Sequence, residues 1–161
     1  MKTRTLTRMA VLAAIGTLGS QWLWFPAGIA KAYPVQHAVN VIAAVTLGPL
    51  PAVGIAFVIG VLRNLLGIGT LLAFPGAMIG AFLSGILYRL FQRPIYSALG
   101  EVMGTGLIGS LVSVPYAHVL MGSAGGAFVF LPSFLISSFT GALIGWFLVV
   151  RMKPSRALPT F

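Results

Sequence analysis

The sequence RNLLGIGTLLAFPG, residues 63–76, ends a long apolar run. Arg63 and Asn64 are followed at once by a glycine-rich turn and Pro75. A charge at membrane depth costs roughly 2.5–3.5 kcal/mol, so it usually faces a cavity, a partner or the interface. Irregular backbone at that depth is tolerated where it lines a cavity or is buried in protein. We interpret the stretch as one wall of a polar pocket; the alternative is an arginine that reaches a lipid headgroup beside an ordinary interhelical loop.

The composition indicates a helical integral membrane protein. Of the 161 residues, 58% are hydrophobic and only 7% are charged, whereas surfaces of soluble domains are about 25–35% charged. A transmembrane barrel would show alternating segments of roughly ten residues, and the sequence has none. The chain has room for several spans of about 20 residues each and little else. We therefore expect one transmembrane domain over residues 1–161.

The formal net charge of +9 does not indicate a nucleic-acid partner. The basic residues lie beside the ends of the apolar segments, where the positive-inside rule places them next to the lipid bilayer. The chain has no cysteine, and Glu101 is its only acidic residue. Thiol chemistry, disulfides, cysteine metal sites and paired-carboxylate catalysis are therefore excluded for this chain alone. We expect no catalytic residue, no metal and no cofactor.

Six apolar segments predict an all-α bundle of six transmembrane helices, with both termini in the cytoplasm. The segments cover about residues 9–25, 35–47, 52–66, 76–90, 95–121 and 127–150. Basic residues occur at the N-terminus, after the fourth segment and at the C-terminus, and six spans place all three groups in the cytoplasm. The second and third segments are short, so a re-entrant hairpin over residues 35–66, with four spans in all, satisfies the same rule. A cleaved signal peptide is disfavoured because its candidate site, residues 30–32, contains a lysine.

The outer connections of the six-span arrangement carry the candidate pocket residues. His37 and Asn40 are three residues apart and share a helix face. We interpret them as hydrogen-bonding groups at a pocket mouth; helix capping or helix–helix hydrogen bonding is the alternative. Aromatic residues near the outer end of the first segment form either an interfacial belt or a wall that stacks a flat ligand. The candidate substrate contacts are Lys31, His37, Asn40, Arg63 and Asn64, with Trp22, Trp24 and Phe74 as walls.

Small residues one helical turn apart let helices approach closely in lipid. Ala10 and Ala14 have this spacing in the first segment, where either an external helix or ordinary internal packing explains them. Pairs at Gly76 and Gly80, Gly100 and Gly104, and Gly141 and Gly145 predict internal packing of the bundle.

Glu101 is predicted near the cytoplasmic end of the fifth segment. Because Arg63 then lies near the opposite face, Arg89 or Arg93 is the nearer cationic partner. We favour a structural ion pair there over a proton relay.

Two linked motifs resemble a known family. The first is P-x-G-x-x-K-x-x-P-x-Q-H-x-x-N over residues 26–40, followed by Leu47-Gly48-Pro49; the second is R-N-x-x-G-x-G-T-x-x-A-F-P-G over residues 63–76. The sequence resembles, over nearly its whole length, the ThiW-type substrate-binding (S) components of energy-coupling factor (ECF) transporters. The resemblance implies a six-helix protein of the prokaryotic plasma membrane. Such proteins capture a vitamin or a precursor from outside and work with a transmembrane coupling (T) subunit and a cytoplasmic ATPase pair.

The resemblance also implies a substrate and a docking surface. The ThiW type is associated with the thiazole precursor of thiamine, hydroxyethylthiazole, and many S components dock on the coupling subunit through an Ala-x-x-x-Ala motif, which Ala10 and Ala14 match. We therefore expect a substrate-capture subunit for vitamin uptake, not an enzyme, with the segment after Pro26 as a lid. A stand-alone carrier of small heterocycles, an intramembrane enzyme and a structural subunit of a membrane complex are the alternatives.

Overall fold

The structure is a computed structural model that describes residues 3–28, 30–122 and 127–152. It is helical apart from one short two-stranded ribbon. The helices are α1 Thr3–Trp22, α2 Pro34–Leu47, α3 Pro49–Leu65, α4 Ala73–Phe91, α5 Pro94–Glu101, a π-helical segment Val102–Gly109, α6 Ser110–Met121 and α7 Ala127–Met152; the strands are β1 Phe25–Ala27 and β2 Ala30–Ala32. Because α5, the π-helical segment and α6 are continuous, the described residues form six helical passes. Part of the glycine-rich break between the fifth and sixth predicted segments, residues 123–126, lies outside the described residues, as does the basic tail after residue 152.

Prolines and special backbone angles explain where several helices begin and end. Pro34, Pro49 and Pro94 each occupy the first turn of a helix, where a missing N–H costs nothing and the fixed φ suits the helix. Between α2 and α3, Gly48 has φ +94°, which a residue with a Cβ rarely adopts. The helices α2 and α3 therefore form a hairpin with a one-residue connection.

Three helical passes are long and apolar enough to cross a membrane: Ala73–Phe91, Pro94–Val119 and Phe130–Met152. The helices α2 and α3 have 14 and 17 residues, about 21 and 26 Å at 1.5 Å per residue, which is less than a hydrocarbon core of about 30 Å. Pro49, the first residue of α3, packs against Gly85. The hairpin therefore turns more than one helical turn before the end of α4. The number of spans and the side on which the termini lie stay predictions.

Helix α2 lies at the centre of the bundle, in contact with α1, α3, α4, α5 and α7. One face of α2 joins an apolar cluster with α1, α3 and α4 that includes Val39, Ile55 and Ile59. Another face joins a cluster with α4, α5 and α7 that includes Val45 and Tyr88. A helix that is apolar on most of its circumference is expected to be buried in this way.

The predicted glycine pairs lie at helix contacts. A Cβ on Gly104 would come within 2.5 Å of the Cα of Gly80, and one on Gly109 within 2.6 Å of the Cα of Gly76. The backbones of α4 and the π-helical segment therefore touch. Gly141 and Gly145 pack in the same way against α2. The prediction that these glycines pack the bundle internally is confirmed.

The ribbon covers the end of the bundle between α1 and α2, and it is attached to α7. Its strands are antiparallel, with Phe25 opposite Ala32. The hydroxyl of Ser133 donates to the carbonyl oxygen of Ala27 at 2.6 Å, and the backbone N–H of Tyr33 donates to the Ser137 hydroxyl at 2.8 Å. Two serines one turn apart on α7 therefore hold both ends of the ribbon.

We predict that Gly104→Ala lowers the stability of the purified protein. The added Cβ meets the backbone of Gly80, which cannot rotate away, and overpacking of this kind costs about 1–3 kcal/mol. The matched control is Gly54→Ala, whose Cβ meets only the flexible tip of Met9 at 3.3 Å. Thermal unfolding in detergent should show a lower midpoint for Gly104→Ala alone. Equal midpoints for both variants would contradict the close contact between α4 and the π-helical segment.

Candidate functional site

A cavity of about 470 Å³ lies under the ribbon, between α2, α3, the 66–72 connection, the π-helical segment and α7. Aromatic and aliphatic side chains, including Phe134 and Ile68, supply part of its wall. The polar part of the wall is formed by Lys31, Tyr33, Gln36, His37, Arg63, Thr70, Thr105, Ser133 and Ser137.

A chain of buried side chains begins at the cavity and runs into the bundle. The Arg63 guanidinium donates to Oε1 of Gln36 through a short hydrogen bond. Nε2 of Gln36 lies 3.0 Å from Nε2 of His37, and Nδ1 of His37 lies 2.8 Å from Oε1 of Glu101. All four side chains are buried. The fold thus places a cation and the only acidic residue of the sequence at opposite ends of one hydrogen-bonded series.

The donor and acceptor roles in this series of four side chains follow from Arg63. A guanidinium only donates, so Gln36 must face it with its carbonyl oxygen and face His37 with its NH₂ group. The ring of His37 then accepts at Nε2 and carries its proton on Nδ1, which donates to Glu101. The donors all point from the cavity toward the carboxylate.

Glu101 lies one layer behind the cavity wall and is fully buried. Its Oε1 accepts from His37, accepts from Nδ2 of Asn40 at 3.0 Å, and lies 3.0 Å from the Thr105 hydroxyl. Within the described residues its Oε2 has no hydrogen-bond partner.

The expected partner of Glu101, Arg89 or Arg93, was therefore wrong, because Glu101 pairs with His37. The sequence locates Glu101 only by its distance from the flanking arginines. Helix α2 is short, and its first turn packs beside the end of α5, so His37 reaches the carboxylate.

Arg63 is held on three sides and is only 3% exposed. Besides the bond to Gln36, it donates to the carbonyl oxygen of Ile68 at 3.2 Å, and its guanidinium lies 3.9 Å from the centre of the Tyr33 ring. The backbone N–H groups of Ile68 and Gly69 both donate to the Arg63 carbonyl oxygen at 3.0 Å. The glycine-rich turn thus wraps around the arginine, and the alternative of an arginine extended to a headgroup does not hold.

Two glycines are required for this turn. Gly67 has φ +71°, and a Cβ on Gly69 would come within about 3.0 Å of the backbone at Arg63 and Asn64. Residues of the stretch 63–76 therefore form a wall of the cavity, as interpreted.

The predicted polar contacts separate into two groups. Lys31, His37 and Arg63 line the cavity. Asn40 lies behind them and bonds to Glu101, and Nδ2 of Asn64 donates to the Gly60 carbonyl oxygen within α3 at 2.9 Å. A direct contact of any of them with substrate stays a prediction.

The predicted aromatic walls lie outside the cavity lining. Trp22 is 81% exposed, and the Phe74 ring meets Phe57 edge-on at 5.9 Å between centroids. Trp24 lines a separate apolar cavity of about 350 Å³ between α1, α2 and α7, and Nζ of Lys31 lies 3.9 Å from the centre of its ring. Their role in substrate binding also stays a prediction.

Several lining residues escaped the sequence analysis. Thr105 is one turn from Glu101, and Ser133 and Ser137 are one turn apart on a largely apolar helix. Tyr33 and Phe134 were indistinguishable from interfacial or packing aromatics. The spacing of the two serines was the usable signal.

The cavity has the composition of a small-molecule binding site. No group of three His, Cys, Asp or Glu side chains capable of holding a metal ion occurs among the residues that the structure describes. The cavity combines apolar walls with a few convergent polar groups, as small-molecule sites do.

A family model described as thiamine-precursor transporter protein (ThiW) matches residues 6–155 of the chain. The match includes both motifs on which the resemblance rests, so that resemblance is confirmed. No match was found among curated proteins or among solved structures.

We predict that Glu101→Leu destabilises the protein much more than Glu101→Gln. The leucine leaves the Nδ1–H of His37 without its acceptor, and a buried unpaired donor costs about 1–3 kcal/mol. Asn40 and Thr105 lose one acceptor each and keep the carbonyl oxygens of Ala77 and Gly76. Glutamine keeps an acceptor oxygen at nearly the same place. Thermal unfolding should therefore rank the wild type and Glu101→Gln above Glu101→Leu. A leucine variant as stable as the glutamine variant would show that the carboxylate does not hold these donors.

Proposed function

The chain belongs to the ThiW family of thiamine-precursor transporter proteins, and on that premise we propose that it is the substrate-capture subunit of an ECF-type importer. Family membership implies transport of a thiamine precursor rather than catalysis. The three apolar helical passes support a membrane location. In this proposal the chain spans a prokaryotic plasma membrane six times, with both termini in the cytoplasm.

The proposed ligand is the thiazole precursor hydroxyethylthiazole, and the cavity under the ribbon is its proposed site. The observation that carries this assignment is a cavity of about 470 Å³ in which buried donors meet apolar walls. Sites for small molecules usually measure about 300–1,000 Å³. The ring nitrogen and hydroxyl oxygen of the thiazole accept hydrogen bonds, and Arg63 and Lys31 can only donate them.

His37 and Arg63 are the proposed inner contacts, and Lys31 is the proposed contact on the ribbon side. Asn40 supports His37 through their shared acceptor, Glu101. Four further predicted contacts lie outside the cavity lining: Asn64, Trp22, Trp24 and Phe74. Alanine substitution of each, with ligand affinity as the measurement, tests a direct contact.

The ribbon is the proposed lid. Ser133 and Ser137 of α7 form hydrogen bonds with the backbone at its two ends. An intramolecular hydrogen bond contributes about 0.5–1.5 kcal/mol net, so releasing both costs little. A ligand could therefore enter after local opening, without disturbance of the helix bundle.

Partners supply the energy in this proposal, because the chain has no phosphate-binding G-x-x-x-x-G-K-[ST] loop. Ala10 and Ala14 are both exposed on α1, beside the exposed apolar side chains of Leu6, Val11 and Leu18. This surface is the proposed contact with the coupling subunit, since small residues permit close approach of another helix.

We predict that purified protein binds hydroxyethylthiazole and that Ala73→Phe weakens this binding at least about tenfold, because a phenyl ring occupies part of the cavity. The control is Ile136→Phe, which adds the same ring at a 40% exposed position of α7 outside the cavity lining. Native mass spectrometry with ligand titration measures both. Equal loss in the two variants would place the ligand elsewhere.

Other outcomes would favour other functions. Tight binding of thiamine alone would keep the capture function and replace the substrate. Uptake that persists without ATPase partners would favour a stand-alone carrier. A protein that binds no heterocycle and co-purifies with a fixed partner would be a structural subunit.

We also predict that Ala14→Trp reduces co-purification with the coupling subunit and leaves ligand binding unchanged, because the indole keeps the partner helix away from α1. Leu143→Trp, at a 43% exposed position of α7, is the matched control. Unchanged co-purification of both variants would remove α1 from the docking surface.

A further inference from the structure

We propose that the cavity selects its ligand by charge. It accepts a neutral or anionic heteroaromatic molecule that offers hydrogen-bond acceptors, and it rejects the same ring when the ring carries a permanent positive charge. The inference rests on the proposed function, because it concerns the ligand of the same cavity.

Two cationic side chains face the cavity from different sides. Arg63 lies at the inner wall, where it is 3% exposed, and Lys31 lies on the ribbon. The other titratable groups in the wall are His37, whose ring accepts from Gln36, and Tyr33, whose ring lies under Arg63. No Asp or Glu side chain lies in the wall, because Glu101 is the only such residue in the sequence and is not part of the cavity lining.

Glu101 is poorly placed to attract a cationic ligand. The side chains of His37 and Thr105 stand between it and the cavity, and its Oε1 already receives donors from three residues. The hydrogen-bonded chain presents its donor end, Arg63, near the ligand and its acceptor end far from it. Arg63 and Lys31 are thus the charged residues that line the cavity, whereas Glu101 does not line it.

Two aromatic rings, Tyr33 in the cavity wall and Trp24 beside the ribbon, already hold cations of the protein. Faces of tryptophan and tyrosine are the usual sites for a quaternary nitrogen. Here the Arg63 guanidinium lies 3.9 Å from the centre of the Tyr33 ring, and Nζ of Lys31 lies 3.9 Å from the centre of the Trp24 ring. A cationic ligand that stacked on either of these two rings would have to displace a cation of the protein.

Selection by charge would distinguish the precursor hydroxyethylthiazole from thiamine. Hydroxyethylthiazole has a neutral ring whose nitrogen accepts a hydrogen bond, whereas thiamine carries a quaternary thiazolium nitrogen that accepts none and bears a positive charge. The cavity chemistry favours the first over the second. A phosphorylated or carboxylated thiazole would also satisfy Arg63 and Lys31.

The test compares three probes on the full-length protein in detergent. They are hydroxyethylthiazole, its N-methylthiazolium derivative, and a neutral derivative that carries the added methyl group on a ring carbon. A unit charge about 6 Å from another, at an effective dielectric constant of about 20, changes affinity by roughly a hundredfold. We expect the thiazolium to bind at least about tenfold more weakly than the neutral methyl derivative, which controls for size. A thiazolium that binds as tightly as the neutral derivative overturns the proposal.

Variants of the cations test the cause. We expect Arg63→Met and Lys31→Met to reduce the ratio of the dissociation constant of the thiazolium to that of the neutral methyl derivative. This holds even where a variant weakens the binding of both probes. Lys31 is exposed, so its variant should fold if Arg63→Met does not. Arg93→Met, exposed at the start of α5 and outside the cavity, is the control and should leave the ratio unchanged. A ratio that neither cavity variant reduces overturns the proposal.

Failure of this inference is distinguishable from failure of the proposed function. Equal binding of the charged and neutral probes removes the charge selection and leaves a thiazole-binding capture subunit. If none of the three probes binds, the proposed thiazole function and the charge selection are both rejected.

Discussion

A guanidinium group donates hydrogen bonds and accepts none, and this constraint orders the polar centre of the bundle. Arg63 is buried, so its donors need acceptors inside the protein. The carbonyl oxygens of Gln36 and Ile68 accept from its two terminal nitrogens, whereas its Nε has no partner among the described residues. Gln36 then turns its NH₂ group to His37, and His37 turns its N–H to Glu101. One buried cation and one buried carboxylate are therefore joined by neutral groups whose dipoles run in one direction. Each of the four side chains depends on the others for its orientation.

The small residues of α4 and the π-helical segment make room for this centre. A Cβ on Gly80 would collide with the Thr105 hydroxyl and approach Oε2 of Glu101 within 2.9 Å. The close approach of the two backbones brings the carboxylate from α5 to the side chains of α2. A π-helical segment is rare and is often found at functional sites; here it begins directly after Glu101 and carries Thr105 to the cavity wall. Packing of glycines and satisfaction of buried polar groups are thus parts of one arrangement.

The elements around the cavity differ in how firmly they are held, and that difference suits the proposed capture function. The inner wall consists of helices whose polar groups are locked to one another. The ribbon, in contrast, is a two-stranded element attached to α7 through two serines. Binding sites generally combine a rigid scaffold with a less stable covering segment. The same ribbon carries Lys31, so closure of the proposed lid would also bring the second cation to the ligand.

Composition and local pattern alone determined the class of protein, the apolar segments, and the polar wall at residues 63–76, because a charge and a glycine-rich turn inside an apolar chain have few acceptable surroundings. Arg63 was predicted as a pocket residue for that reason, and His37 was predicted because it shares a helix face with Asn40. Both residues line the cavity. The partner of Glu101, the role of Ser133 and Ser137, and the distance of Trp22 and Phe74 from the cavity were decided by tertiary structure only. In a soluble helix the polar face reveals which side points outward. A helix surrounded by lipid and by other helices is apolar on both sides, so its sequence does not show which residues face a neighbour. Only the packing of α2 against α5 and α7 determines which of its few polar groups meet.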